Sequence, residues 1–188
     1  MSKTRILTNV LITLLFAFLY SCDSENKRLR KLFEEFEDSQ IVVPCDMTII
    51  RDGKVLQDQT CAEGLLFIVY VGPEECSSCK VAHLSDYNDL FKRGDGPYPF
   101  TVMIILSPPA EEMGNVMEQL ILSRYYYPVF IDTNSDFANS NNSIPSNPIF
   151  HCFLLNEDHR PIFIGNPLTT HKMSLLFDNV LSKTLNTN

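Results

Sequence analysis

Leu65-Leu66-Phe67-Ile68-Val69-Tyr70-Val71 is an unbroken run of seven apolar residues. A strand with one wet face alternates apolar and polar side chains. A run without alternation fits a strand covered on both faces, which a sheet with helices above and below supplies. The run stops at Gly72-Pro73, and only Glu74 and Glu75 separate that dipeptide from Cys76-Ser77-Ser78-Cys79. Beyond the cysteines Val81, Leu84, Tyr87 and Phe91 keep helical spacing until Arg93-Gly94-Asp95-Gly96. The pattern is strand, turn and helix, with two cysteines at the joint.

The rest of the chain repeats the alternation. Phe100 to Leu106 is a second buried strand, closed by Pro108-Pro109. Met113, Val116, Met117, Leu120 and Ile121 mark an amphipathic helix. Val129-Phe130-Ile131 is a short strand, and Asp136 to Ser146 reads as polar loop. Ile149 to Leu155 and Ile162 to Ile164 form a hairpin around Asn156-Glu157-Asp158-His159, and Met173, Leu176, Phe177, Val180 and Leu181 end the chain in a helix. Ahead of the first buried strand, Leu29, Leu32, Phe33 and Phe36 line one face of a short helix. Ile41-Val42-Val43 and Met47 to Ile50 read as strands, with a turn at Arg51-Asp52-Gly53-Lys54. From Leu65 the order is β-α-β-α-β-β-α, a mixed central sheet with helices on both faces. It carries an N-terminal helix and hairpin extension.

Residues 1–21 stand apart from this α/β pattern. Lys3 and Arg5 precede an apolar stretch from Ile6 to Leu19, which meets Tyr20-Ser21-Cys22. A basic start, a short apolar core and a small residue at the cut describe an export signal. With cysteine directly after the small residue, the pattern resembles a bacterial lipoprotein signal. That resemblance implies Cys22 as the lipidated new N-terminus, and a domain in the cell envelope, anchored to a membrane. Residues 22–40 then form a polar tether and short helix, and 41–188 the folded domain. Residues 22–188 carry 13 basic and 23 acidic side chains, net −10. Such a balance speaks against a nucleic-acid partner held through phosphates. With 45% hydrophobic and 20% charged residues the chain has the makings of a packed core rather than a disordered segment.

Export changes how the cysteines read, because disulfides persist outside the cytoplasm. After Cys22 there remain Cys45, Cys61, Cys76, Cys79 and Cys152. Cys45 and Cys61 flank the N-terminal hairpin and either bridge it or stay as two thiols. Cys152 lies in an apolar strand as a small core residue. His151 beside it, like His83, His159 and His171, reads as packed rather than catalytic.

Cys76 and Cys79 sit one helical turn apart at a helix start. Unpaired backbone N–H groups there favour thiolate over thiol. Cys76 is placed to attack a disulfide, and Cys79 to resolve the mixed disulfide. A zinc site would need a second Cys or His pair at ligand spacing, and none is present. No cofactor is called for.

By this motif and element order the chain from about Met47 to Leu185 resembles the thioredoxin superfamily. Its N-terminal extension is similar to that of the membrane-attached periplasmic thioredoxin-like reductases. The resemblance implies a cis-proline opening the strand beside the active site. Asn147-Pro148 stands where that residue belongs, with Ile144-Pro145 the weaker alternative. It implies a thiol–disulfide oxidoreductase whose partners are thiols and disulfides of exported proteins. The chain departs from the family in lacking tryptophan, with Glu75 where one commonly precedes the first cysteine, and in having no buried acid in the preceding strand. Two carboxylates ahead of Cys76 act to raise its pKa. These departures motivate an alternative, a redox-inactive thioredoxin-fold binding module of the envelope.

Overall fold

A computed structural model describes residues 25–56 and 61–186. The signal at 1–21 and the lipidation site Cys22 lie outside the described residues. The described residues open with helix α1 over residues 25–37, so the helix begins ahead of Leu29, taking in Glu25 to Arg28. Lys31 and Glu35 pair one turn apart at 3.4 Å on its wet face. On the other face Phe36 is fully buried. The helix closes as Ser39 donates from both its N–H and its hydroxyl to the Phe36 carbonyl.

Seven strands follow: β1 Thr48–Arg51, β2 Lys54–Leu56, β3 Leu66–Val71, β4 Thr101–Leu106, β5 Val129–Ile131, β6 Cys152–Leu155 and β7 Pro161–Ile164. They form one mixed sheet in the order β2-β1-β5-β4-β3-β6-β7. The centre is parallel, β3 on β4 (Leu66 opposite Thr101, Val71 opposite Leu106) and β4 on β5. Antiparallel strands flank it, β1 on β5 and β6 on β3. β1 and β2 turn at Asp52-Gly53, both with positive φ (49° and 71°), the two-residue turn that suits strand twist. A Cβ at Gly53 would stand 2.8 Å from the Ile121 carbonyl oxygen, so glycine is required there twice over.

The apolar run in β3 is explained by what covers it. Phe67, Val69 and Val71 belong to one core, and Leu66, Ile68 and Tyr70 to the other. Stepping β3→β4→β5 in one direction with right-handed crossovers places both connections on the same face. These are α2 Ser77–Ala82 with α3 Asn88–Gly94, and then α4 Ala110–Ser123. Val81, Leu84, Leu90, Val116 and Leu120 pack there with Phe177 of α6 His171–Asn186, whose ring meets Phe67 edge-on at 5.3 Å. The return from β5 to β6 crosses the opposite face through α5 Asp136–Ser140 and a 3-10 turn, Pro148–Phe150. Phe36, Ile41, Met47, Phe137 and Phe150 cover that side. The result is the thioredoxin-like α/β layering.

Three local expectations are corrected. Residues 41–43 are not a strand, because the Asn141 amide takes both Val42 backbone groups at 2.8 Å and Ile41 N–H goes to the His159 carbonyl. The polar stretch from Asp136 contains α5. There Asp132 accepts from the Phe137 and Ala138 N–H groups, the orphan donors of a helix start. The strand read from Ile149 begins only at Cys152, since Asn147 caps the 3-10 turn ahead of it.

Candidate functional site

The parallel strands end together along one edge of the sheet, at Val71, Leu106 and Ile131, the edge where open α/β sheets usually place their chemistry. From Val71 the chain enters a turn closed on itself. Glu75 N–H donates to the Gly72 carbonyl at 3.0 Å, and the Glu75 carboxylate accepts from the Gly72 N–H at 3.0 Å. Cys76 then caps α2. Its backbone is extended, its carbonyl accepts from Lys80 N–H at 3.1 Å, and its sulfur accepts from Cys79 N–H at 3.2 Å. Cys76 and Cys79 are disulfide-bonded, with Cα atoms 5.2 Å apart, and both are exposed. Ser77 between them is fully buried, its hydroxyl without a protein partner.

Pro148 is corrected in two respects. There is no cis peptide bond among the described residues, so the Asn147–Pro148 bond is trans. Pro148 is an exposed residue at the first position of the 3-10 turn, where its missing N–H costs no hydrogen bond. The weaker alternative, Pro145, is the proline that enters the site's hydrogen-bond network, through its carbonyl. His151 Nε2 lies 2.9 Å from the Pro145 oxygen, and His151 Nδ1 lies 2.7 Å from Glu75 Oε1. The His151 carbonyl accepts Tyr70 N–H at 2.8 Å, and its ring stands edge-on to Tyr70 at 5.3 Å. His151 thus joins the cysteine turn to the loop that precedes β6.

A carbonyl oxygen and an ionised carboxylate can only accept, so each ring nitrogen of His151 faces an acceptor. Glu75 and His151 form a carboxylate–histidine pair, with side chains 25% and 9% exposed. Burial alone would raise the pKa of Glu75. The hydrogen bonds from His151 and from Gly72 N–H, with the charges of His151 and Lys80, outweigh it and hold the carboxyl below its ordinary range. Glu74 is exposed. Of the two carboxylates read ahead of Cys76, one is therefore tied to an imidazole and one is in water.

Lys80 donates to the Tyr87 hydroxyl at 2.9 Å. Burial lowers its pKa, but that bond and the charges nearby raise it overall. Cys152, at the start of β6, is a half-buried free thiol pushed up to about 12 by burial; Lys80 works against that rise and Glu75 adds to it. Cys45 and Cys61 are joined by a disulfide, with Cα atoms 4.6 Å apart. An apolar cavity of 680 Å³ opens between α1 and the Pro148–Phe150 turn; it borders the site through that turn but contains no cysteine. Among the described residues no helix is long and apolar enough to cross a membrane.

Sequence reasoning missed Glu75 and His151 as a pair. Reading Ile149 to Leu155 as one strand put His151 inside it, whereas His151 ends a 3-10 turn just ahead of β6.

These elements define a thioredoxin-like fold with a surface disulfide at a strand–helix joint. No protein-family model matches the chain, and no curated protein is significantly similar to it. Among solved structures it is similar to a thioredoxin-like protein in the oxidised form (16% identity, TM-score 0.47, covering 77% of this chain and 95% of that one). It is also similar to peroxiredoxin Q of Xanthomonas campestris (11%, 0.47, 78% and 99%). A third likeness is to a putative protein disulfide isomerase from Bacteroides thetaiotaomicron (16%, 0.41, 78% and 92%). The chemistry of this chain rests on its own residues.

Proposed function

We propose that this protein is a thiol–disulfide oxidoreductase acting on exported proteins, held to a bacterial membrane by lipid on Cys22 with its domain in the cell envelope. The observation that carries the redox reading is the exposed Cys76 sulfur, at the N-cap of α2 and accepting the Cys79 N–H, in a bond with Cys79. In the reduced protein the same N–H stabilises a Cys76 thiolate. That thiolate attacks one sulfur of a client disulfide. The client S–S bond breaks, a Cys76–client disulfide forms, and the departing client sulfur takes a proton. Cys79, deprotonated, then attacks Cys76 Sγ and releases the second client thiol. Two electrons pass from the protein to the client, and a dithiol reductant restores the pair. The same steps in reverse oxidise a client.

The test is a redox titration against glutathione or dithiothreitol. One reversible two-electron couple, abolished by Cys76→Ser, supports the proposal, together with insulin reduction above background. The lack of tryptophan before Cys76 and of an acid in β3 favours the second reading, a redox-inactive binding module stapled at the start of α2. A disulfide that resists strong reductant in the folded protein would establish that reading instead.

A further inference from the structure

The charged pair beside the cysteines has a polarity that the disulfide chemistry can sense. Glu75 is covalently next to Cys76, its Cα 3.8 Å away across one peptide. His151 comes from the far side of the sheet's central strand and reaches the cysteine turn only through Glu75. The pair is anchored at both ends, by Gly72 N–H on Glu75 and by the Pro145 carbonyl on His151, with Tyr70 against the ring. These contacts hold the pair in place between the cysteine turn and the loop before β6. The other groups that feel the Glu75 charge are Lys80 on α2, Tyr70 on β3 and Cys152 on β6, of which Lys80 alone carries a charge at neutral pH. His151 is thus the group that neutralises Glu75 by direct contact.

We infer that His151 is a positioning residue that sets the thiolate affinity of Cys76 by neutralising Glu75, so that the two members of the pair push the cysteine couple in opposite directions. This rests on the redox reading of the cysteines only for its consequence in catalysis; the charge effect itself is a property of the reduced protein. Removing the His151 ring leaves a bare carboxylate beside Cys76, which raises the thiol pKa and makes the couple more reducing. Removing the carboxylate takes away the negative charge, lowers the thiol pKa and makes the couple more oxidising. A role confined to holding the two loops together would move both variants the same way, since either change breaks the same hydrogen bond.

The experiment compares Glu75→Gln, His151→Asn and the double variant, each in the full chain. Their folds are checked by circular dichroism. The first readout is the equilibrium constant with glutathione. The expected result is a shift of about three- to tenfold in opposite directions for the two single variants, tenfold being about 30 mV for a two-electron couple. The double variant should return toward wild type. The second readout is the pH dependence of iodoacetamide alkylation of Cys76 in a Cys79→Ser background, which keeps Cys45–Cys61 oxidised and needs no turnover. It should show the Cys76 pKa rising in His151→Asn and falling in Glu75→Gln. Shifts of the same sign, or no shift, in folded variants would overturn the inference even if the wild-type couple titrates well. A wild type without a reversible couple would sink the oxidoreductase reading and leave the alkylation result to decide this one.

Discussion

Replacing Phe36 by alanine tests whether α1 belongs to the folded unit or merely leads into it. Phe36 is fully buried, and its ring meets Phe153 edge-on at 5.2 Å and Phe150 at 6.2 Å. Phe→Ala in a core costs about 3–5 kcal/mol, of which two edge-to-face contacts account for about 1–3 kcal/mol. The loss should sit in the middle of that range, about 4 kcal/mol. In a chain of this size it lowers the melting temperature by about 8–16 °C. Phe33, one turn back and 37% exposed, has a single ring contact among the described residues, with Phe150 at 6.2 Å, so Phe33→Ala should cost about 1 kcal/mol. Urea unfolding followed by circular dichroism reads both, with unchanged m-values showing that the same unit unfolds. A loss below about 1 kcal/mol for Phe36→Ala would mean that α1 does not unfold with the sheet. Because Phe150 lies in the turn that ends at His151, the variant should also loosen the loop around the cysteines, read as faster hydrogen exchange at the His151 amide.

Three further outcomes are expected. Replacing Cys45 and Cys61 together by serine opens a loop of sequence separation 16 and should cost about 3 kcal/mol by denaturant titration, while leaving the Cys76–Cys79 couple in place. The carboxyl of Glu75 is held below its unfolded value of 4.5, so its contribution to stability is fully present above that pH and is lost as pH falls below it; Glu75→Gln should flatten the acid limb of a pH–stability curve, and an unchanged limb would contradict the pairing. Cys152, with a pKa pushed up to about 12, should resist iodoacetamide in the native protein at mildly alkaline pH and react only after unfolding, as peptide mass mapping would show.

The parts of the fold most legible in the sequence were those whose burial is complete. β3 and β4 read correctly because every residue from Leu66 to Val71 and from Val102 to Leu106 is apolar and buried, as a strand covered on both faces requires. What escaped was set by single polar side chains acting at a distance. Asn141 satisfies the backbone of Val42 from 99 residues away, so an apolar triplet with good strand propensity stays irregular. Asp132 caps α5, a helix with only Phe137 buried and therefore too little apolar periodicity to notice. At the site, the cysteine spacing and the strand–helix joint were visible. The Glu75–His151 contact was not, because a separation of 76 residues leaves no local signature. The strand start was misplaced because Asn147 caps a 3-10 turn ahead of β6, and the role that the resemblance implied for Pro148 fell with it.

The central strand also has a consequence in time. β3 lies between β4, which follows it closely, and β6, which arrives some eighty residues later. Any chain made or delivered from its N-terminus therefore passes through a stage in which one side of its greasiest segment offers bare amides and carbonyls to whatever strand comes near. Only when the last quarter of the chain appears is that flank closed, and the same event brings His151 to the cysteine turn. Burying the sticky flank and completing the surroundings of the sulfurs are one step.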